Sequence, residues 1–259
     1  MTGSSDNTKD IVNGFMEEGQ LEISYFFQEN CGKMKALNAL LEHVTGELMV
    51  ECDSDDYFTN IAMKHIADNC SLEEDIYATA FLKYDQNNCN IGNLFKTEEG
   101  YVTTMFDLYF KDEEPGEKAL VFQTKLRKEY KYVLEKDEKF STESRLFHQM
   151  DLKYKIKGFN NPIMVCEYLE DGYTKNIKEM FLKYPYGYYQ YFKEIFEHDM
   201  KDVTWKKRLY AIKHYILFSY ITSTKKILKN IKGNSNKLLV GVLYIPGMLA
   251  SKAKGYKKV

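Results

Sequence analysis

Glu47-Leu48-Met49-Val50-Glu51-Cys52-Asp53-Ser54-Asp55-Asp56-Tyr57-Phe58 is the stretch on which the fold turns. Leu48, Met49, Val50 and Cys52 make a short apolar run, the pattern of a buried strand in a parallel sheet. Three carboxylates, Asp53, Asp55 and Asp56, follow it at once. In open α/β sheets ligands bind beyond the carboxyl ends of strands, so these acids stand where a hard cation and a phosphate can meet them. Asp53 and Asp55, two apart, can share one Mg²⁺ or Mn²⁺, ions that prefer oxygen ligands and leave positions open for substrate phosphates. Such a cation also relieves the mutual repulsion of clustered acids. A second reading is a polar turn after a strand, with an Asp capping the next helix. The stretch alone is compatible with both.

Outward from it, the chain alternates strand and helix. Residues 9–18 carry Ile11, Val12 and Phe15 at helical spacing, and Ser5, Asp6 or Asn7 can cap that helix. Residues 21–27 alternate and are rich in aromatics, which predicts a strand. Asn30-Cys31-Gly32-Lys33 is a turn, residues 34–44 form a helix, and Gly46 ends it before the acidic strand. This is the rhythm of a βαβ unit in an α/β fold. Further on, residues 59–69 predict a helix, 76–82 a strand, and 101–110 a strand or a loop beside a second substrate. Glu113-Glu114-Pro115-Gly116 is a turn, and Leu120, Phe122 and Thr124 mark another strand.

Three segments carry a resemblance: Gly3-Ser4-Ser5-Asp6-Asn7-Thr8, then Asn30-Cys31-Gly32-Lys33-Met34-Lys35-Ala36-Leu37-Asn38, then Asp53-Ser54-Asp55-Asp56-Tyr57. In this order they resemble the family 2 glycosyltransferases, which typically show Asp-Asp-Gly-Ser-x-Asp-x-Thr, Asn-x-Gly-x-x-x-Ala-x-Asn and Asp-Ser-Asp-Asp. Three weak motifs in the right order make a strong one. The resemblance implies a GT-A fold, a nucleotide-sugar donor and a divalent metal, Mn²⁺ or Mg²⁺, on the Asp-x-Asp. It maps Asp53 and Asp55 onto the positions facing ribose and metal, and Asn30, Gly32 and Lys33 onto the loop near the donor. Lys33 can pair with a diphosphate on charge grounds, or be a solvated lysine at a helix start. The family's first strand, helix and second strand have no counterpart, because Met1 and Thr2 stand where the acids ending the second strand would be. The expectation is therefore a GT-A domain incomplete at its N-terminus, with residues 21–27 short of a sheet neighbour.

The resemblance also implies a catalytic base. Inverting glycosyl transfer needs a general base to take the proton of the acceptor hydroxyl while a metal stabilises the leaving diphosphate. In the family that base is an acid at the start of a helix late in the domain. Glu143 resembles that position best and Glu138 is the alternative; the family's common Glu-Asp pair is absent. Read from the residues alone, Glu143 is equally a helix-start carboxylate facing the helix dipole. Tyr168-Leu169-Glu170-Asp171-Gly172-Tyr173-Thr174 resembles the end of the catalytic domain in members that build bacterial polysaccharides, and reads plainly as a Gly turn before a helix.

Composition narrows the remaining choices. A 44% hydrophobic content in 259 residues supports a sizeable core. Five scattered cysteines without zinc spacing, and no signal-peptide pattern, lead to the expectation of a cytosolic protein with reduced thiols. His65, His148, His198 and His214 lack ligand spacing and read as surface or half-buried residues. Residues 201–259 hold 14 basic residues and one acid, against 22 basic and 37 acidic elsewhere. An acidic body with a basic tail suggests chemistry in one part and attachment to a polyanion in the other. Domains are thus expected at 1–176 (catalytic) and 177–259 (basic and helical). Residues 203–232 predict one or two basic amphipathic helices, and the apolar run 238–249 follows with Lys252, Lys254, Lys257 and Lys258 behind it; basic residues beside an apolar helix fit a segment lying on an anionic membrane surface, with packing on the catalytic domain as the alternative. Nucleic-acid motifs and stacking platforms are missing, so no nucleic-acid partner is expected. The expected function is inverting, metal-dependent transfer of a sugar to a glycan or lipid-linked acceptor, in the cytoplasm at the inner face of the cell membrane. The competing expectation is an inactive relative acting as a binding or scaffold module.

Overall fold

The computed structural model describes residues 3–4, 6–70, 72–97, 100–112, 116–167 and 177–258. Met1 and Thr2, residues 113–115 of the expected turn, and the motif at residues 168–174 lie outside the described residues. The elements run α1 (Thr8–Glu18), α2 (Lys33–Leu41), β1 (Leu48–Val50), β2 (Tyr57–Phe58), α3 (Ala62–Asn69), β3 (Ile76–Tyr84), β4 (Tyr101–Thr103), α4 (Met105–Phe110) and β5 (Lys118–Gln123). They continue with α5 (Thr124–Arg127), α6 (Glu143–Asp151), β6 (Lys155–Val165), α7 (Ile177–Lys183), α8 (Pro185–Glu194), α9 (Trp205–Ile221) and α10 (Asn234–Ala253).

The sheet has the order β1-β5-β3-β6-β2, with β4 added beside β6. Its middle is made by the most apolar runs. Ile76 to Leu82 is buried at every position, as a strand covered on both faces must be. In β5, Leu120 and Phe122 face one layer with Tyr77, Met105 and Leu146, while Ala119 and Val121 face the other with Phe81 and Ile163. β3 and β6 are parallel, whereas β5 runs antiparallel to both β3 and β1.

Two expectations about the first half are corrected. β1 is not a buried strand of a parallel sheet: it pairs antiparallel with β5, stands at the end of the strand order, and its three residues are half-buried. Residues 21–27 form no strand, although Gly3 N–H donates to the carbonyl of neighbouring Gln28 at 2.9 Å. Alternation reports which side chains share a face, and it carries no information about whether a backbone partner exists. Residues 101–110 resolve into β4 followed by α4, where the Thr104 hydroxyl accepts from Asp107 N–H at 3.0 Å and caps the helix.

The C-terminal helices share a core with the sheet-bearing part. Phe106 and Phe110 of α4 join Phe192 of α8 and Ile212, Tyr215 and Phe218 of α9. Arg145 of α6 donates two hydrogen bonds to Glu194 of α8, at 2.9 and 2.8 Å. For the first part of the basic tail the structure shows the packed alternative. α9 stops at Ile221 and its apolar face is core, because amphipathic spacing marks a face that is covered without saying by what. α10 then lies along α9, with Gly247 so close to Ile216 that a Cβ would sit 3.0 Å from its side chain.

Candidate active site

The acidic turn hangs between two anchored strands. β1 pairs with β5 before it, and Tyr57 and Phe58 pair with Val165 and Met164 after it. Within it, Asp56 N–H donates to the Asp53 carbonyl at 3.1 Å. Asp53 and Asp55 are exposed. Asp56 turns inward instead, accepting from the Cys166 thiol at 3.2 Å and lying 3.6 Å from Lys83 Nζ, which also approaches Glu117 at 3.4 Å. Burial, opposed by Lys83, pushes the Cys166 thiol up to about 12, so it stays protonated as the donor to Asp56.

The loop opposite is built around Gly32. Its φ is +93°, and a Cβ there would meet the Lys139 carbonyl at 2.2 Å, so only glycine lets the chain pass. Asn30 Oδ1 accepts from Gly32 N–H at 3.2 Å, and the Asn30 carbonyl accepts from Lys139 Nζ at 3.1 Å. Asn38 fastens α2 from the other side through paired hydrogen bonds with the Tyr132 backbone, at 2.8 and 2.9 Å. This places Lys33, first residue of α2, between two acids: its Nζ is 2.7 Å from Asp53 Oδ2 and 2.8 Å from Glu143 Oε1. Burial pulls the Lys33 ammonium down, but Glu143 and Asp53 together outweigh it and hold its pKa above the ordinary lysine value.

Of the residues singled out in the sequence, the fold therefore joins Lys33, Asp53 and Glu143 directly, with Asn30 and Gly32 shaping the loop and Asp55 exposed beside them. Glu138 goes elsewhere. Its oxygens accept from Tyr186 and Gly187 N–H, at 2.8 and 2.7 Å, closing the start of α8, and the residue is buried. Burial raises its pKa against those two hydrogen bonds.

Sequence reasoning missed the support behind the acidic turn. Arg127, fully buried, donates to Glu51 at 2.9 Å and to the Tyr130 carbonyl at 2.6 Å, and lies over the Phe122 and Tyr132 rings. Tyr132 O–H donates to the other Glu51 oxygen at 3.2 Å. Glu51, an acid set between Val50 and Cys52 of the apolar run, was the available signal, since an acid buried there needs a cation partner. Among the described residues no three His, Cys, Asp or Glu side chains converge as a metal cage. Asp53 and Asp55 are a partial donor set, suited to a Mg²⁺- or Mn²⁺-type ion that takes its other ligands from a bound phosphate and water.

An α/β sheet with an acidic turn at its rim and a glycine-tight loop facing it is laid out as a GT-A fold, and solved structures share that fold. S. aureus TarS 1-349 in complex with UDP-GlcNAc has a TM-score of 0.54 at 16% identity, covering 96% of this chain and 69% of that one. The same protein in complex with UDP gives 0.53 at 13%, covering 96% and 78%. A longer S. aureus TarS structure gives 0.55 at 14%, covering 97% of this chain and 46% of that one, so the chain spans less than half of it. The model of "Glycosyl transferase family 2" matches residues 2–134. The chain belongs to that family. No curated protein matches it.

Proposed function

We propose that the protein transfers a sugar from a nucleoside-diphosphate sugar to an acceptor hydroxyl with inversion at the anomeric carbon, Glu143 acting as general base. The observation that carries this reading is the Lys33 bridge, which brings the donor loop, the acidic turn and the start of α6 to one point. In the reaction the acceptor oxygen bonds to the anomeric carbon, and the bond from that carbon to the diphosphate breaks. The electron pair leaves with the diphosphate and the acceptor proton passes to the Glu143 carboxylate. Lys33, cationic and able to swing from its two carboxylates, meets the diphosphate. Asp53 and Asp55 would hold Mn²⁺ or Mg²⁺, which stabilises the negative charge of the departing nucleotide. Asn30 and Gly32 keep the loop open for the donor.

TarS, a likeness in fold, was crystallised with UDP-GlcNAc and with UDP, which makes a uridine nucleotide the first donor to try. The acceptor in this reading is a hydroxyl of a growing cell-surface glycan, glycan or lipid-linked. The test is release of nucleoside diphosphate from a panel of nucleotide sugars, with and without Mn²⁺. Metal-dependent release that Asp55→Ala abolishes supports the reading. Absence of release across the panel, with nucleotide sugars still raising the melting temperature, would instead favour a binding module.

A further inference from the structure

α10 has an outer face that the fold leaves uncovered. Its inner residues, Val240, Leu243 and Gly247 among them, lie against α9, but Leu238, Val242, Ile245 and Leu249 are 69, 65, 63 and 58% exposed. They recur at helical spacing, and Gly241, Pro246 and Ala250 complete the same face, so the stripe runs about 17 Å without a charge. Leu228, 41% exposed on the preceding turn, lies beside Gly241, 4.0 Å from where a Cβ would stand, and widens the stripe. Its charged surroundings are cationic. The chain after Ile221 holds nine lysines and no acid. Lys225, Lys226, Lys229 and Lys232 are exposed on the turn beside the stripe, and Lys252, Lys254, Lys257 and Lys258 beyond its end. Among the described residues no helix is long and apolar enough to cross a membrane.

We propose that this face of α10 seats the protein on an anionic lipid bilayer, with Leu238, Val242, Ile245 and Leu249 inserted among the acyl chains and the flanking lysines on the headgroups. The choice of occupant rests on charge complementarity: a strip of exposed aliphatic residues, with lysines on the turn before it and beyond its end, matches an apolar layer under an anionic surface. A second copy of the chain would bring those lysines against one another. The proposal holds whether or not the transfer reaction does.

The test is co-sedimentation of the full chain with phosphatidylcholine vesicles and with vesicles also containing phosphatidylglycerol. Binding is expected to the mixed vesicles and to weaken as salt rises. Val242→Asp/Ile245→Asp/Leu249→Asp, at exposed positions, should keep the melting temperature and lower partitioning by about tenfold or more. Lys225→Gln/Lys226→Gln/Lys252→Gln/Lys254→Gln should lower it by up to about a thousandfold and erase the preference for phosphatidylglycerol. Equal binding to both vesicle types, or binding unchanged in the aspartate variant, overturns the proposal. So does a lipid-free dimer that the aspartate variant converts to monomer, which would make the stripe a contact between copies.

Discussion

Lys33 holds Asp53 and Glu143 within reach of each other, and the two candidate bases differ in what else their oxygens do. Glu143 has one lysine partner and a side chain 42% exposed, free to take a proton from an acceptor. Glu138 spends both oxygens on backbone N–H groups of α8. Glu143→Gln is therefore expected to lower turnover by about 10² or more with donor affinity kept. Glu138→Gln sets an amide N–H₂ against a backbone donor, so it should cost about 1–3 kcal/mol of stability and leave turnover of the folded enzyme intact. Steady-state kinetics beside denaturant melts separate the two, and reversed phenotypes would move the base to Glu138. Asp53, Lys33 and Glu143 were singled out through the family resemblance, and the fold brings the three side chains together. The capping role of Glu138 was not legible, since Tyr186 and Gly187 lie nearly fifty residues on and meet it only through the tertiary fold.

Elements divide along the same line. The central strand was readable from its mostly apolar run, and β3 covers the residues 76–82 expected of it. The antiparallel direction of β5 was not readable, because side-chain alternation is identical in either direction. Helix α6 hides a further feature in plain sequence. His148, expected at the surface or half-buried, is 1% exposed, edge-on to Phe106 and Phe110 and stacked on Tyr191 of α8. Neither ring nitrogen has a hydrogen-bond partner among the described residues. Burial, reinforced by His198, pushes its pKa from 6.5 down to about 3; burial likewise lowers His198 to about 4, with Asp107 opposing and Lys111 adding. A depressed histidine is neutral in both states above about pH 6.5 and costs nothing there. Below that the unfolded chain takes up protons the fold refuses, so each of the two should lower stability by about 2–3 kcal/mol towards pH 4.5, His148 continuing to do so towards pH 3. Denaturant melts across that interval check it, and His148→Leu should flatten the profile. An unchanged slope in the variant would assign the acid sensitivity to carboxylates instead.

At the scale of the whole molecule, burial is uneven. The sheet layers and the α8–α9 core are closed, yet α1 buries no residue, and Ile11, Phe15, Leu21 and Phe27 are 50, 53, 73 and 59% exposed. Close to them in sequence, β1 ends the strand order, its second edge unpaired among the described residues. Exposed aromatic and aliphatic side chains with a free strand edge favour association between chains. Because those side chains contribute little to the core, replacing them should separate solubility from stability. Phe15→Glu and Leu21→Glu are expected to raise the concentration at which the protein remains monomeric, while the melting midpoint shifts by no more than about 0.5 kcal/mol in stability. Light scattering against concentration, with a denaturant melt of each variant, measures both. A loss of well over 1 kcal/mol would mean that α1 and residues 21–27 contribute to the folded core.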